Sequence, residues 1–254
     1  PKIGAPPLKV LVTGGAGYIG SVVTELLVES GHEITILDNL HQSRIDTIHP
    51  DAHFIHADIL EREALSAVFA ANEFDCVQHL AAYSIVSGSM QNPALPFEIN
   101  VLGTLNILEA MKNSKVPLLI FSSSASVYGI SSDGLIDEGT ETQPINPYGE
   151  SKLMAERLIF WYHNAHGIRS LSLRYFNAAG ATLRNGESHS PETHLIPSLL
   201  AAAVSGNTVP IFGSSFATPD GTAIRDFVHV SDIASAHVSA MEQADRFQCA
   251  TVNL

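Results

Sequence analysis

The stretch Thr13-Gly14-Gly15-Ala16-Gly17-Tyr18-Ile19-Gly20 decides the fold of this chain of 254 residues. It joins a short apolar run at 8–13 to a helical pattern at 18–30, so it predicts a strand, a tight turn and a helix. Gly14, Gly17 and Gly20 have the spacing G-x-x-G-x-x-G, and glycines allow the positive φ angles and the close backbone approach that a pyrophosphate requires. The helix N-terminus adds unpaired N–H groups and a dipole that favour an anion. The stretch therefore predicts a dinucleotide site, and an ordinary tight turn is the alternative.

An acidic residue ends the second predicted strand. Asp38 is well placed to accept hydrogen bonds from an adenosine ribose, and a carboxylate there repels the 2′-phosphate of NADP. The sequence therefore predicts NAD as the cofactor. Capping of a turn or helix by Asp38 is the alternative.

Strands and helices alternate outward from this turn. We predict strands at 8–13, 33–38, 54–55, 76–80, 118–122, 171–174 and 251–254, and helices at 18–30, 61–71, 93–111, 147–166, 195–205 and 231–241. Such alternation is typical of βαβ units wound into a parallel sheet with helices on both faces. The expected fold class is α/β, a doubly wound Rossmann sheet, with ligands bound at the carboxyl ends of the strands.

Composition changes after residue 176, where Gly, Pro, Ser and Thr become frequent. We expect an NAD-binding Rossmann domain at 1–176, a smaller substrate-binding lobe at 177–230, and a helix and strand at 231–254 that return to the Rossmann domain.

Bulk properties exclude several classes of protein. A formal net charge of −13 argues against a nucleic-acid partner. No apolar run approaches the roughly 20 residues that span a bilayer. Cys76 and Cys249 indicate neither a disulfide framework nor a metal pair, which fits a reducing, cytoplasmic setting. The histidines lack the spacing of a zinc site, so we predict no metal.

Tyr148 and Lys152 are the candidate catalytic pair. They lie four residues apart on one face of a predicted helix, and Asn146 as N-cap with Pro147 in the first turn places Tyr148 at its start. A free tyrosine has a pKa of about 10. A nearby ammonium and the positive nicotinamide ring favour the phenolate, which can then accept a proton from a hydroxyl group. A packed aromatic residue beside a solvated lysine is the alternative.

A run of serines follows the fifth predicted strand. Ser124 is expected to face the same cleft as Tyr148 and to donate to the reacting oxygen or relay its proton. For Ser122 and Ser123 we favour hydroxyl groups bonded to the backbone at a strand end.

Seven segments together resemble the UDP-glucose 4-epimerase family, in the extended branch of the short-chain dehydrogenase/reductase superfamily. They are TGGAGYIGS at 13–21, LDN at 37–39, SSSASVYG at 122–129, NPYGESK at 146–152, LRYFNAAGA at 173–181, THLIP at 193–197 and TPDGTAIRDFVHVSD at 218–232. The resemblance extends over nearly the whole chain.

The resemblance implies an activity, a ligand and an assembly. The expected reaction is NAD-dependent 4-epimerisation of a UDP-hexose, UDP-galactose to UDP-glucose, through a transient 4-keto sugar, with Tyr148 as base beside Ser124 and Lys152. A homodimer paired through helices around Leu105 and Leu158 is expected. Family members continue into a segment that completes the sugar pocket, so we expect the substrate lobe in 177–230 to be partial.

The resemblance also assigns binding positions. Those for the cofactor are Gly14, Gly17, Tyr18, Ile19, Gly20, Asp38, Asn39, Asp58, Ile59, Leu80, Ala81, Ala82, Asn100, Ser122, Tyr148, Lys152 and Tyr175. Those for the nucleotide-sugar are Ser124, Asn177, His194, Leu195, Phe212 and Arg225. A guanidinium at Arg225 suits a diphosphate, and a salt bridge to Asp226 or another neighbour is its alternative.

Three other functions stay open. One is epimerisation of a UDP-N-acetylhexosamine, pentose or uronate. A 4,6-dehydratase is disfavoured because Ala125-Ser126 stand where that class carries an acid pair. The third is a silent NAD-binding regulatory protein, against which the intact Ser124, Tyr148 and Lys152 argue.

Overall fold

A seven-stranded parallel sheet forms the centre of the protein, as predicted. The computed structural model describes residues 6–130, 134–187, 194–210 and 213–254. The sheet has the order β3-β2-β1-β4-β5-β6-β9, and every neighbouring pair is parallel. Its strands are β1 (Lys9–Thr13), β2 (Glu33–Asp38), β3 (His53–His56), β4 (Cys76–His79), β5 (Leu118–Ser124), β6 (Arg169–Tyr175) and β9 (Cys249–Asn253).

Helices cover both faces of the sheet. They are α1 (Tyr18–Glu29), α2 (Arg62–Ala71), α3 (Val86–Gln91), α4 (Ala94–Pro96), α5 (Gly103–Ser114), α6 (Pro147–His166), α7 (Leu195–Ser205) and α8 (Val230–Glu242). Because side chains alternate along a strand, Val10 and Val12 of β1 join a core with α1 and α8, whereas Leu11 joins a second core with α2, α5 and α6. In the described part of the chain, no helix has the length and apolar character that a membrane span requires.

The prediction of one regular helix at 93–111 is wrong. The short helix α4 runs into a π-helical segment, Phe97–Leu102, before α5 begins at Gly103. Asn100 lies in this segment, where its buried side chain bonds the backbone of Tyr83 and the hydroxyl group of Ser151. A π-type turn shifts the helical face locally, and periodicity in a sequence does not reveal it. Helix α3 was not predicted.

Two short strands lie outside the main sheet. Strands β7 (Asn177–Ala179) and β8 (Phe227–His229) pair in parallel, and neither was predicted from the sequence. Three residues are too few for an alternating pattern. The pairing brings Asn177 beside Asp226, next to Arg225, so it places two candidate substrate residues together.

Candidate active site

The glycine-rich turn lies where the strand order reverses, between β1 and β4, and a doubly wound sheet binds its ligand at this reversal. Gly14 has a φ of +72°, and a Cβ atom there would lie 2.5 Å from the backbone nitrogen of Ala81. Leu80 and Ala81, which follow β4, bond to Thr13: the Leu80 N–H donates to its carbonyl group at 3.0 Å and the Ala81 N–H to its hydroxyl group at 3.4 Å. Ala82 comes next in the chain. The loop after β4 therefore packs directly against the glycine-rich turn.

The first turn of α1 is suited to an anion. Its N-cap is Gly17, which has no side chain to cap the helix, so the N–H groups of Ile19 and Gly20 are left without an intrahelical acceptor. A Cβ atom at Gly20 would lie 2.0 Å from the carbonyl oxygen of Gly14, so only glycine lets the turn fold back on the helix. A pyrophosphate fits this cradle of bare backbone.

Asp38 ties the phosphate turn to the loop after β2. Its Oδ2 accepts from the Ala16 N–H at 3.1 Å, and its Oδ1 accepts from the Leu40 N–H at 2.9 Å and the Ser43 hydroxyl group at 2.6 Å. Turn capping, the alternative for Asp38, is therefore present, and contact with a ribose stays a prediction.

The other adenosine candidates lie close by. The Asn39 amide donates to Asp58 at 2.8 Å, and Ile59 is buried against Gly103. Asn100 differs from them, because its side chain is fully engaged within the protein and 1% exposed.

Tyr148 and Ser124 meet at the carboxyl edge of the sheet. Asn146 caps α6 by accepting from the Gly149 N–H at 2.8 Å, which starts the helix at Pro147 as predicted. The Ser126 N–H donates to the Ser124 oxygen at 3.2 Å, so the Ser124 hydroxyl hydrogen is available to Tyr148. Burial raises the pKa of the Tyr148 phenol above its usual value, and the hydrogen bond from Ser124 opposes that rise.

Lys152 is buried one turn further along α6. Its Nζ donates to the carbonyl oxygen of Ser122 at 2.7 Å and lies 4.9 Å from the centre of the Phe121 ring. Burial lowers the pKa of Lys152 to about 7, and the negative charge of Glu156 opposes that fall. The alternative of a solvated lysine is therefore wrong, because the side chain is 2% exposed.

A buried ion pair that the sequence analysis missed supports the catalytic helix. Glu156 accepts from Arg174 on β6 in a forked pair, at 2.9 Å from Nε and 2.6 Å from Nη2. The Ser123 hydroxyl group donates to the same carboxylate at 2.5 Å, so Ser123 bonds a side chain rather than the backbone. Glu156 follows Lys152 by four residues, which signals a carboxylate on the same helix face, but no local signal pointed to Arg174.

Tyr175 reaches the same edge from the other face of the sheet. It pairs in register with Ser124, and a negative charge on Tyr148 contributes to raising its pKa, after burial. Its hydroxyl group bonds His237 of α8, which in turn bonds Gln78 of β4. Neither His237 nor Gln78 was predicted at the site.

The candidate sugar-binding residues are spread more widely. Arg225 is exposed and donates to the Ile224 carbonyl group at 3.2 Å; within the described ranges it forms no ion pair, so a salt bridge to Asp226 is not formed. His194 and Leu195 lie at the start of α7, where Leu195 is 53% exposed. Phe212 lies outside the described residues.

Two buried histidines should set the acid sensitivity of the fold. Burial lowers the pKa of both His79 and His237 from 6.5 to about 3. The unfolded chain therefore binds more protons than the folded one between pH 6.5 and 3. The free energy of unfolding is unaffected by them above pH 6.5 and should fall below it, by about 1.4 kcal/mol per pH unit for each histidine.

Urea unfolding between pH 4 and 7 measures this slope. We expect His79→Gln to lower the slope by about 1.4 kcal/mol per pH unit, the contribution of one titrating histidine. The amide of Gln keeps polar contact with Thr13 and Thr104 but does not titrate. His41→Gln, at an exposed position, is the matched control and should leave the slope unchanged. An unaltered slope in His79→Gln would contradict the assignment.

The sheet, its reversal of strand order and the glycine-rich turn define a dinucleotide-dependent α/β enzyme. Residues 10–254 match the NAD dependent epimerase/dehydratase family. The chain belongs to that family, and its cofactor is NAD.

Similar proteins agree in name and fold. A UDP-glucose 4-epimerase from Lactobacillus helveticus is 44% identical over 238 residues, which cover 92% of this chain and 72% of the relative. The solved UDP-glucose 4-epimerase from Brucella ovis, in complex with NAD, is 41% identical with a TM-score of 0.92, over 97% of this chain and 77% of that one. The enzyme from Bifidobacterium longum, solved with NAD+ and UDP, is 32% identical with a TM-score of 0.90, over 97% and 77%.

Proposed function

We propose that the protein interconverts UDP-galactose and UDP-glucose by inverting C4 of the hexose. One observation carries the proposal: Tyr148, bonded by Ser124 and followed one turn later by Lys152, lies at the same sheet edge as a glycine cradle for a pyrophosphate. Membership in an epimerase/dehydratase family supports it.

The cofactor-binding roles rest on the crevice around the reversal of strand order. The phosphate turn from Gly14 to Gly20 would hold the pyrophosphate, and Asp38, Asn39 and Asp58 would surround the adenosine. Ala81 packs against Gly14 from the loop after β4. When bound, NAD supplies reversible hydride transfer at the sugar C4.

The protein's own part is proton transfer and orientation. Tyr148 takes the proton of the 4-hydroxyl group, and Ser124 donates a hydrogen bond to the same phenolate. Lys152 lies four residues along the same helix face, and its positive charge would favour the phenolate. Returning the proton from Tyr148 after the sugar has presented its other face completes the inversion.

Substrate binding is proposed for the small second sheet and the residues beside it. Arg225 is an exposed guanidinium that suits the diphosphate in a forked geometry. Asn177, held against the Asp226 backbone at 2.8 Å, lies next to it. His194, Leu195 and Phe212 complete the proposed set.

Incubation of the purified protein with UDP-galactose, without added NAD, tests the function. We expect UDP-glucose by anion-exchange chromatography, because NAD is regenerated in each cycle and stays bound. A parallel reaction with UDP-N-acetylglucosamine tests the nearest alternative. Conversion of that sugar alone, or of neither, would contradict the proposed substrate.

We also propose a homodimer paired through α5 and α6. Met154 and Trp161 lie on α6 seven residues apart, so they share one face, and they are 37% and 66% exposed. Size-exclusion chromatography with light scattering should give twice the chain mass of 27.2 kDa. Trp161→Glu should yield monomer, whereas Asn164→Asp on the same helix should not; a monomeric unaltered protein would refute the proposal.

Cys76 and Cys249 are free thiols, which supports a reducing, cytoplasmic setting.

A further inference from the structure

A chain of three buried polar side chains crosses the core beneath the candidate site. Tyr175 of β6, His237 of α8 and Gln78 of β4 are 7%, 0% and 0% exposed. The Tyr175 hydroxyl group bonds His237 Nε2, and His237 Nδ1 lies 2.5 Å from Gln78 Oε1. Each side chain is bonded to the next, so the three hold one another in fixed orientations between the strands and the helix.

The contacts fix the position of each hydrogen-bonding proton in this series of three side chains. The Gln78 amide nitrogen lies 3.3 Å from the backbone carbonyl of His237, which can only accept, so the NH2 group of Gln78 points there and Oε1 faces the ring. Nδ1 must therefore carry the ring proton. A neutral imidazole has one donor and one acceptor, so Nε2 is the acceptor and the Tyr175 O–H donates to it.

The imidazole is held neutral by its surroundings. Burial lowers the pKa of His237 to about 3. Tyr175 on β6 bonds the ring, and Tyr148 on α6 acts on Tyr175 in turn. The rest of its environment is the apolar core between α1, α8 and the sheet. A second ring proton, which would reverse the bond to Tyr175, is therefore excluded at neutral pH.

The orientation of the Tyr175 proton determines how this residue can bond a ligand in the reaction cleft. Because the Tyr175 proton points into the core, the remaining lone pair of its oxygen is left for another donor, and a charge on Tyr148 acts on this hydroxyl group. We propose that His237 and Gln78 are positioning residues that present Tyr175 to the cleft only as a hydrogen-bond acceptor, for an N–H or O–H donor of a bound ligand. The inference rests on the proposed function, in which two ligands carry such donors: the amide of the nicotinamide and a hydroxyl group of the sugar.

A double-mutant cycle with Tyr175→Phe and His237→Leu tests the coupling. Calorimetry on protein from which bound NAD has been removed gives the dissociation constant for NAD, and calorimetry on the NAD-loaded protein gives that for UDP-glucose. We expect each single change to weaken one of the two ligands about tenfold, and the double change to weaken it about tenfold rather than a hundredfold. Coupling in the NAD arm assigns the nicotinamide amide as the donor, and coupling in the UDP-glucose arm assigns a sugar hydroxyl group.

Additive losses, or single changes within twofold of the unaltered protein in both arms, would overturn the proposal. His237 is fully buried, so circular-dichroism melting must show that the variants fold. Gln78→Leu, which leaves the imidazole in place and removes the group that sets its tautomer, takes the place of His237→Leu in the cycle should that variant unfold.

Gln78→Glu allows a test by the pH dependence of ligand affinity, which would not change if His237 and Gln78 had only a structural role. A carboxylate beside Nδ1 raises the pKa of His237 and favours the imidazolium, in which both nitrogens donate and Tyr175 must turn its proton towards the cleft. Affinity for the coupled ligand should then fall about tenfold between pH 8 and pH 6, relative to the unaltered protein. A ratio equal to that of the unaltered protein would contradict the proposal. These measurements need no turnover, so failure to convert UDP-galactose would refute the proposed function alone.

Discussion

Tyr148→Phe should lower epimerase turnover at least about 1000-fold while the protein keeps its bound NAD. The change removes only the phenolic oxygen, which is the proposed proton acceptor and the partner of Ser124. The ring, the capped start of α6 and the buried Lys152 remain, so cofactor binding should be unaffected. Initial rates with UDP-galactose, together with the NAD released on denaturation, measure the two quantities.

Tyr162→Phe is the matched control on the same helix. Tyr162 bonds Glu109 of α5, away from the serines that follow β5, so turnover should stay within about threefold of the unaltered protein. Near-normal activity in Tyr148→Phe would show that the base lies elsewhere. Equal losses in the two variants would show that the effect comes from α6 as a whole.

Local patterns account for the parts of the site that could be predicted from the sequence. The glycine spacing, the cap at Asn146 and the four-residue interval from Tyr148 to Lys152 each involve neighbours in the chain, so composition and helical period were sufficient. The seven-stranded sheet followed from the alternation of strands and helices for the same reason.

Contacts between distant residues could not be predicted in this way. His237 and Gln78 are 159 residues apart, and Glu156 and Arg174 meet only because α6 packs on β6. In the sequence His237 is one of 12 histidines, and nothing local distinguishes it from an exposed one. The π-helical segment at Phe97–Leu102 was missed because it breaks the period on which the prediction relied.

Two glycines of the phosphate turn are required for different reasons, one for the fold of the turn and one for the approach of the ligand. At Gly20 a Cβ atom would lie 2.0 Å from the Gly14 carbonyl oxygen, and backbone cannot rotate away as a side chain can. Gly20→Ala should therefore lower the free energy of unfolding by about 1–3 kcal/mol and weaken NAD binding about 100-fold, because the turn must open to admit the methyl group. Urea unfolding and calorimetry measure these.

Gly17→Ala separates the effect on NAD binding from the larger effect on stability expected at Gly20. Gly17 has a φ of −76°, which any residue adopts, and its Cβ atom would meet only the Gly14 oxygen at 3.3 Å, so the free energy of unfolding should fall by about 0.5–1 kcal/mol, the preference of an N-cap for glycine over alanine. The added methyl group stands where a pyrophosphate approaches the bare helix start, so NAD binding should still fall about 100-fold. If Gly17→Ala binds NAD normally, the anion does not lie at this helix terminus; if Gly20→Ala is fully stable, the contact with Gly14 relaxes at no cost.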